Sequence, residues 1–344
     1  MDFNDLKGLI KVPKLSSNND YWLVRAEAGK YFQEFYLEDY IAIGWNEMNN
    51  LDLICENEDE LKEQIEELYP NENRPGLIKS QIYTFVSEMK KGDIVLVPSK
   101  SNNQHIAFGE IVEDDIYIEE VEEYDFEKYM EEFGEQPPCP FKKRREVKWL
   151  KTVKKEKLDP YLYKLLYSHC TITNANDYSH FIDRTIYSFF EKDGVLHSVF
   201  EVKETNSINA FDLNSFIGSM LDSLDIINDS IDHKLDKRSI DIKLNVQSPG
   251  LIEFFGKPEV IMGMTFLGVL VIGGEIELDV KIMNGKLNTE GLIEKVRKFI
   301  NSLKENERQT IKLKKRLKRE KESLKIKDPE IKLEFKESDQ QKEN

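Results

Sequence analysis

The sequence predicts a mixed α+β chain of two domains, and three observations carry that expectation. Up to about residue 187, short apolar runs suited to strands alternate with stretches whose apolar residues recur at helical spacing. Beyond it, Asp193-Gly194 between two apolar runs is a two-residue hairpin signal, and strands alternating apolar with polar residues follow. The length of 344 residues also exceeds one ordinary domain of roughly 100–200 residues. The expected division is 1–19 as an N-terminal arm, 20–187 as the first domain, 188–303 as a smaller α/β domain and 304–344 as a charged helix or tail.

Residues 21–26 and 40–45 read as strands, and the segment between and around them gathers Trp22, Tyr31, Phe32, Tyr36 and Trp45. Clustered aromatics fill a core or line a pocket, and both readings stand for Trp45. Glu58 to Leu68 predicts a helix with Leu61, Ile65 and Leu68 on one face, and Pro70 and Pro75 break the chain after it. A short helix carrying Ile82, Phe85, Val86 and Met89 comes next, then a Lys-Lys-Gly-Asp turn and the strand Ile94 to Pro98. The runs at 106–112 and 116–124 are further strand candidates. Residues 110–135 hold thirteen acids and one Lys, whereas 142–157 hold nine Lys or Arg and two acids. Both read as solvated surface, the acidic run as an insertion near 113–138. Val147, Trp149 and Val153 suit a half-buried strand, Leu158 to Leu166 a helix, and 171–190 a strand end, a cap region and a closing helix.

In the second domain, Ala210 to Ile227 reads as helical. Ile240, Ile242, Leu244 and Val246 alternate with polar partners, as do Ile276, Leu278, Val280 and Ile282, which predicts two half-exposed strands. Between them, the apolar run 260–274 is shorter than the about 20 residues of a membrane span, so a buried helix or strand pair is favoured. Leu292, Val296, Phe299, Ile300 and Leu303 form a helical stripe leading into a basic tail.

The formal charge of −16 excludes a protein that coats nucleic acid non-specifically, since such binding rests on many cations meeting phosphates. Any nucleic-acid role must be local. Cys55, Cys139 and Cys170 contain no paired spacing, so neither a disulfide framework nor a zinc site is expected. With no secretory pattern at the start, a cytoplasmic setting is expected.

Taken in order, YWLVRAEAGKYF, IAIGWNEMNN, SQIYTFVSEMKKGDIVLVPSK, IAFGEIV, REVKWLKTV and the Ser168-His169 region resemble the EVE family, PUA-like barrels related to YTH domains. The variant is similar to the one at the N-terminus of Mrr-type restriction proteins and covers about 20–187, with an acidic insertion that ordinary EVE domains lack. The resemblance implies an N-terminal PUA-like β-barrel with flanking helices and a cleft where aromatic rings hold an extruded modified base of DNA or RNA. Trp45 and Asn46 fall in the family's pocket wall, Ser80, Gln81 and Tyr83 begin the pocket-flanking helix, and Ser99 and Lys100 end the strand facing the cleft. Lys142, Lys143, Arg144 and Arg145 stand beside it as phosphate contacts or as a solvated basic edge. Trp22 and Phe32 read as core, Tyr83 equally as sheet packing and Ser99-Lys100 as an ordinary loop.

Relatives of this domain are often fused to PD-(D/E)xK nucleases, which makes Glu201, Lys203 and Asp183 the alternative catalytic set. Asp193 lies on the hairpin turn, roughly 25 Å along the strand from Glu201, too far to share a metal. Asp183 or Asp212 would have to replace it. No Walker A loop, GxSxG or HExxH occurs, and His105, His169, His180, His197 and His233 are scattered. The expectation is therefore a non-enzymatic binding protein with no cofactor and no metal. It is a modified-base sensor in a restriction or antiviral defence system, with a second half that assembles into a homo-oligomer or signals. A membrane-disrupting role for 258–274 is the less favoured alternative.

Overall fold

The structure is a computed structural model that describes residues 10–56, 58–100, 105–122, 124–229, 234–245, 249–270, 276–279 and 307–334. It divides into two compact units, one of Asn18–Ile186 and one of Met1–Ser17 together with Tyr187–Asn344. The first residues, expected as an arm, instead supply two short strands, Ile10–Lys11 (β1) and Lys14–Leu15 (β2), to the second of these units.

In the unit Asn18–Ile186, β3 (Tyr21–Val24), β4 (Tyr40–Ile43), β5 (Ile94–Pro98), β6 (His105–Ile111), β7 (Tyr117–Ile118), β8 (Lys143–Lys154) and β9 (Ile172–Asn174) form one sheet. Its order is β4-β8-β6-β5-β3-β9, with β7 also on β8. Only β3 and β5 run parallel; the other pairs are antiparallel. The sheet curls into a half-barrel, and β8 makes the bend. This strand pairs with β4 through Lys143–Glu146 and with β6 through Val147–Lys154. A register shift at Phe108/Gly109 lets β6 follow the bend. A Cβ on Gly109 would sit 2.3 Å from Val147 Cγ1 and 2.9 Å from the Trp149 ring, so only glycine fits there. The acidic run 116–124, expected as a strand, pairs only over Tyr117–Ile118.

The core of this unit holds Trp22, Tyr31, Phe35, Tyr40 and Phe85, so Trp22 is interior as expected. Its indole N–H donates to Asp93 at 2.9 Å, and Asp93 also accepts the Asp20 and Lys90 amides. Phe32, expected in the core, is half-buried at its edge. Helices α1 (Phe32–Leu37), α2 (Leu51–Glu56), α3 (Glu58–Leu68) and α4 (Pro75–Tyr83) surround the sheet. Leu61 and Ile65 of α3 are fully buried, whereas Leu68 of the same expected stripe is exposed. Pro75, expected as a breaker, opens α4 instead, because the first helical turn does not need the N–H that proline lacks. The helix then widens into a π turn, Thr84–Glu88. Arg145, fully buried, donates to the Phe85 and Val86 carbonyls in that turn at 2.7 and 3.0 Å and to the Asp114 carbonyl at 2.6 Å. Within the acidic insertion lies α5 (Phe126–Phe133), capped by the Asp125 carboxylate and ended by Gly134 at φ +72°. Two further helices, α6 (Tyr161–Leu166) and α7 (Ser179–Ile186), are joined by a buried ion pair of Arg184 with Asp159.

In the other unit, Asp193 and Gly194 at φ +52° and +74° turn β10 (Phe189–Lys192) into β11 (Val195–Val202), the hairpin their sequence announces. With β12 (Ile240–Asn245), β13 (Gly250–Gly256) and β15 (Ile326–Lys327), these strands build a sheet of order β12-β13-β11-β10-β2, with β15 on β11. A second sheet, β1-β16-β14, joins Ile276–Asp279 (β14) and Ile331–Glu334 (β16) to β1. Thus the two alternating strands of the sequence belong to different sheets. Helix α8 (Ala210–Asn228), α9 (Pro258–Leu270) and α10 (Glu307–Leu324) share one core with the larger sheet. Helix α9 is apolar all round because it is buried all round, with Val260, Ile261, Met264, Phe266, Leu267 and Val269 within that core. Among the described residues no helix is long and apolar enough to cross a membrane. The basic segment expected as a charged helix or tail is the helix α10, and its Leu313, Leu317 and Leu324 are buried. The 292–303 stripe, residues 271–274 of the apolar run, Val246, Val280, Ile282 and His233 lie outside the described residues.

Candidate functional site

At the end of β4 the chain turns sharply, and Trp45 takes φ +58°, a left-handed angle that a bulky residue adopts only when its surroundings hold it there. Three sets of contacts do so. Lys143, on the neighbouring β8, is fully buried and donates from Nζ to the Trp45 carbonyl at 2.8 Å, the Met48 carbonyl at 2.9 Å and Asn49 Oδ1 at 3.1 Å. Asn46 donates to the Pro140 carbonyl at 2.8 Å and accepts from the Lys142 amide at 3.1 Å. Glu47 accepts the Tyr69 hydroxyl, which in turn accepts the Glu47 amide, fastening the Trp45 loop to the loop after α3. Burial pushes the Lys143 ammonium down to about 8, with nearby Glu47 pulling it back and Lys142 adding to the fall. The Tyr69 hydrogen bond holds the Glu47 carboxyl below its ordinary range.

So held, the half-buried Trp45 lines a pocket of about 330 Å³. The opposite walls come from Glu72, Asn73 and Arg74 before α4, from Leu77, Ile78 and Gln81 along it, and from His169, Cys170 and Thr171 before β9. Gln81 is buried and its Oε1 accepts the Ile172 amide, tying α4 to β9. A hydrogen bond between the Ser168 and Thr173 hydroxyls, 2.6 Å, closes the turn that carries His169 and Cys170 to the rim. Arg74 and His169 are exposed there. The lining thus offers an indole, two aliphatic side chains, the amides of Asn73 and Gln81, the Glu72 carboxylate, the Cys170 thiol, and Arg74 and His169 at the rim.

Of the residues singled out by sequence, the structure brings Trp45 and Gln81 together in this pocket. Asn46 holds the loop with both ends of its amide. Ser80 is exposed and Tyr83 half-buried on α4, and neither lines the pocket. Ser99 and Lys100 line a separate cavity with Gly29, Lys30 and Phe32. Arg144 and Arg145, expected beside the cleft as phosphate contacts or as a solvated basic edge, are instead buried. Arg144 lies 4.2 Å over the Tyr40 ring and donates to the Phe141 carbonyl at 3.1 Å, while Arg145 serves the π turn. Burial lowers the Arg145 guanidinium to about 10. Asp183 accepts the Tyr21 hydroxyl at 2.6 Å in the first unit, whereas Glu201 lies in β11 of the second unit with Lys203 directly after that strand. Sequence reasoning missed Arg74, Cys170 and the role of Lys143. For the last, the only clue was that Lys143 and Arg145 share the period-two face of the buried Val147, which hints at burial but not at the carbonyls Lys143 serves.

Residues 21–176 match a family described as a domain of unknown function (DUF8426), a stretch that contains every residue lining the Trp45 pocket. No curated protein matches the chain.

Proposed function

We propose that the unit Asn18–Ile186 is a PUA-like reader of the EVE type that holds one modified nucleobase in the Trp45 pocket, within a bacterial defence or restriction setting. The observation that carries the reading is the rigid presentation of Trp45 at the wall of a cavity sized for one small ligand. Its volume lies near the lower end of the about 300–1,000 Å³ usual for small-molecule sites. An extruded base presents a π-face to the indole and polar edges to Gln81 and Asn73, while Leu77 and Ile78 read an added methyl group by shape. Exposed Arg74, which shares the lining with Glu72, would meet a flanking phosphate, and that keeps the electrostatic contact local in a chain of charge −16.

Titrating the protein with oligonucleotides bearing 5-methylcytosine, 5-hydroxymethylcytosine or N6-methyladenine, against their unmodified counterparts, tests this. One modified oligonucleotide binds at least about tenfold more tightly than its counterpart. Trp45→Ala weakens that binding by about 5- to 150-fold, the equivalent of about 1–3 kcal/mol of stacking. Equal weak affinity for all of them overturns the reading.

A further inference from the structure

A second surface of the same unit has features the base pocket does not use. Helix α5 presents Phe126, Tyr129, Met130 and Phe133 at i, i+3, i+4 and i+7, the spacing of an apolar face, and none of its residues is buried. Phe133 is 57% exposed, and its ring packs only 4.5 Å from that of Tyr129, on the same helix. Beside it opens a cavity of about 460 Å³ lined by Gly29, Phe32, Leu37, Ser99 and Lys100, with Leu37 69% exposed at its mouth. The two features adjoin through Lys30 and Gln136, which both line the cavity. Lys30 Nζ lies 4.2 Å over the Phe126 ring, and Gln136 donates to the Lys30 carbonyl at 3.0 Å. Acids dominate the surroundings: Glu38 is on the cavity wall and Glu127, Glu131, Glu132 and Glu135 are exposed along and after α5. Of the two cations that line the cavity, Lys30 is paired with Glu27, and Lys100 shares the lining with Glu34 and Glu38.

We infer that this cavity and helix face form one docking surface for a basic polypeptide segment that places an apolar side chain in the cavity and Lys or Arg against the rim. An aromatic helix face left in water beside a cavity marks an interaction site, and the acidic rim selects the sign of the partner while repelling nucleic-acid phosphates. A second copy of this chain fits poorly. It carries the same net charge of −16, and its own basic helix α10 already buries Leu313, Leu317 and Leu324.

The test uses the full chain and a synthetic peptide of about 18 residues with Leu at helical spacing and Lys or Arg between, against a scrambled peptide of equal composition. In calorimetry the patterned peptide binds at least about tenfold more tightly than the scrambled one. Leu37→Glu and Phe133→Ser, both at exposed positions, each weaken it by about tenfold or more with unchanged thermal unfolding, whereas Trp45→Ala leaves it unaltered. Equal binding of both peptides, no binding of either, or full affinity in the two variants overturns the inference. A concentration-dependent dimer that Leu37→Glu abolishes also overturns it, in favour of a second copy as occupant. Because Trp45→Ala separates the surfaces, failure here leaves the base-binding reading unaffected, and the reverse holds.

Discussion

Trp45 occupies a backbone angle that costs a non-glycine residue about 1–3 kcal/mol, and a buried amine that donates to its carbonyl and to two further oxygens of the same loop is one of the contacts that keep it there. Lys143 has only neutral oxygens as direct partners, so desolvation lowers its protonation to about pH 8 from the ordinary 10.5. The sign of the resulting linkage is opposite to that of a salt-bridged lysine. Between about pH 8 and about pH 10.5 the unfolded chain carries this proton and the folded chain does not, so folding gains stability as pH rises through that window. Chemical denaturation of the wild type and of Lys143→Met, followed from pH 7 to pH 10, measures it. The wild type gains on the variant with rising pH, by up to about 3 kcal/mol. A constant difference would show that Lys143 titrates normally. Sequence alone did not separate Lys143 and Arg145 from solvated lysines such as Lys148, because a basic run carries no mark of which cations find carbonyls. The period-two continuation into Val147 was the one clue.

At the scale of elements, local chemistry decided what was legible. Asp193-Gly194 could be read directly because its turn demands positive φ at both residues, and few pairs supply that. Pro75 was ambiguous, since proline both ends one helix and starts another. The π turn at Thr84–Glu88 has no local signature, because its freed carbonyls are satisfied by Arg145, some sixty residues away in sequence. The bend of β8 depends in the same way on a distant contact, the approach of Val147 and Trp149 to Gly109. Gly109→Ala therefore overpacks the bend and destabilises the unit by about 1–3 kcal/mol, read as a lowered denaturation midpoint. Among the pocket residues, Trp45 and Gln81 were reachable by resemblance. Arg74 and Cys170 were not, because they come from loops whose course is set by the elements they join.

For the whole molecule, each unit has a hydrophobic core and strand ladders of its own. The pocket, its clamps and the acidic helix are all drawn from Asn18–Ile186. A fragment of residues 18–186 is expected to fold alone and to give the same result as the full chain in the oligonucleotide titration that tests the proposed base binding. Loss of affinity in a folded fragment would assign part of the site to the other unit. Removing residues 1–17 has the opposite selectivity. It takes away β1, paired with β16, and β2, paired with β10, and so lowers the stability of the second unit while the first unfolds as before.

That pairing of β1 with β16 also sets an order on biosynthesis. Ile10 meets Leu333 across the ladder, so a strand made among the first residues waits for one made more than three hundred residues later. On the ribosome the unit Asn18–Ile186 can close early as a self-contained excursion, while β1 and β14 wait for the late strand that pairs with both. Translation stopped before residue 331 would yield a chain without β16, in which β1 and β14 both lose their ladder partner and present unpaired strand edges.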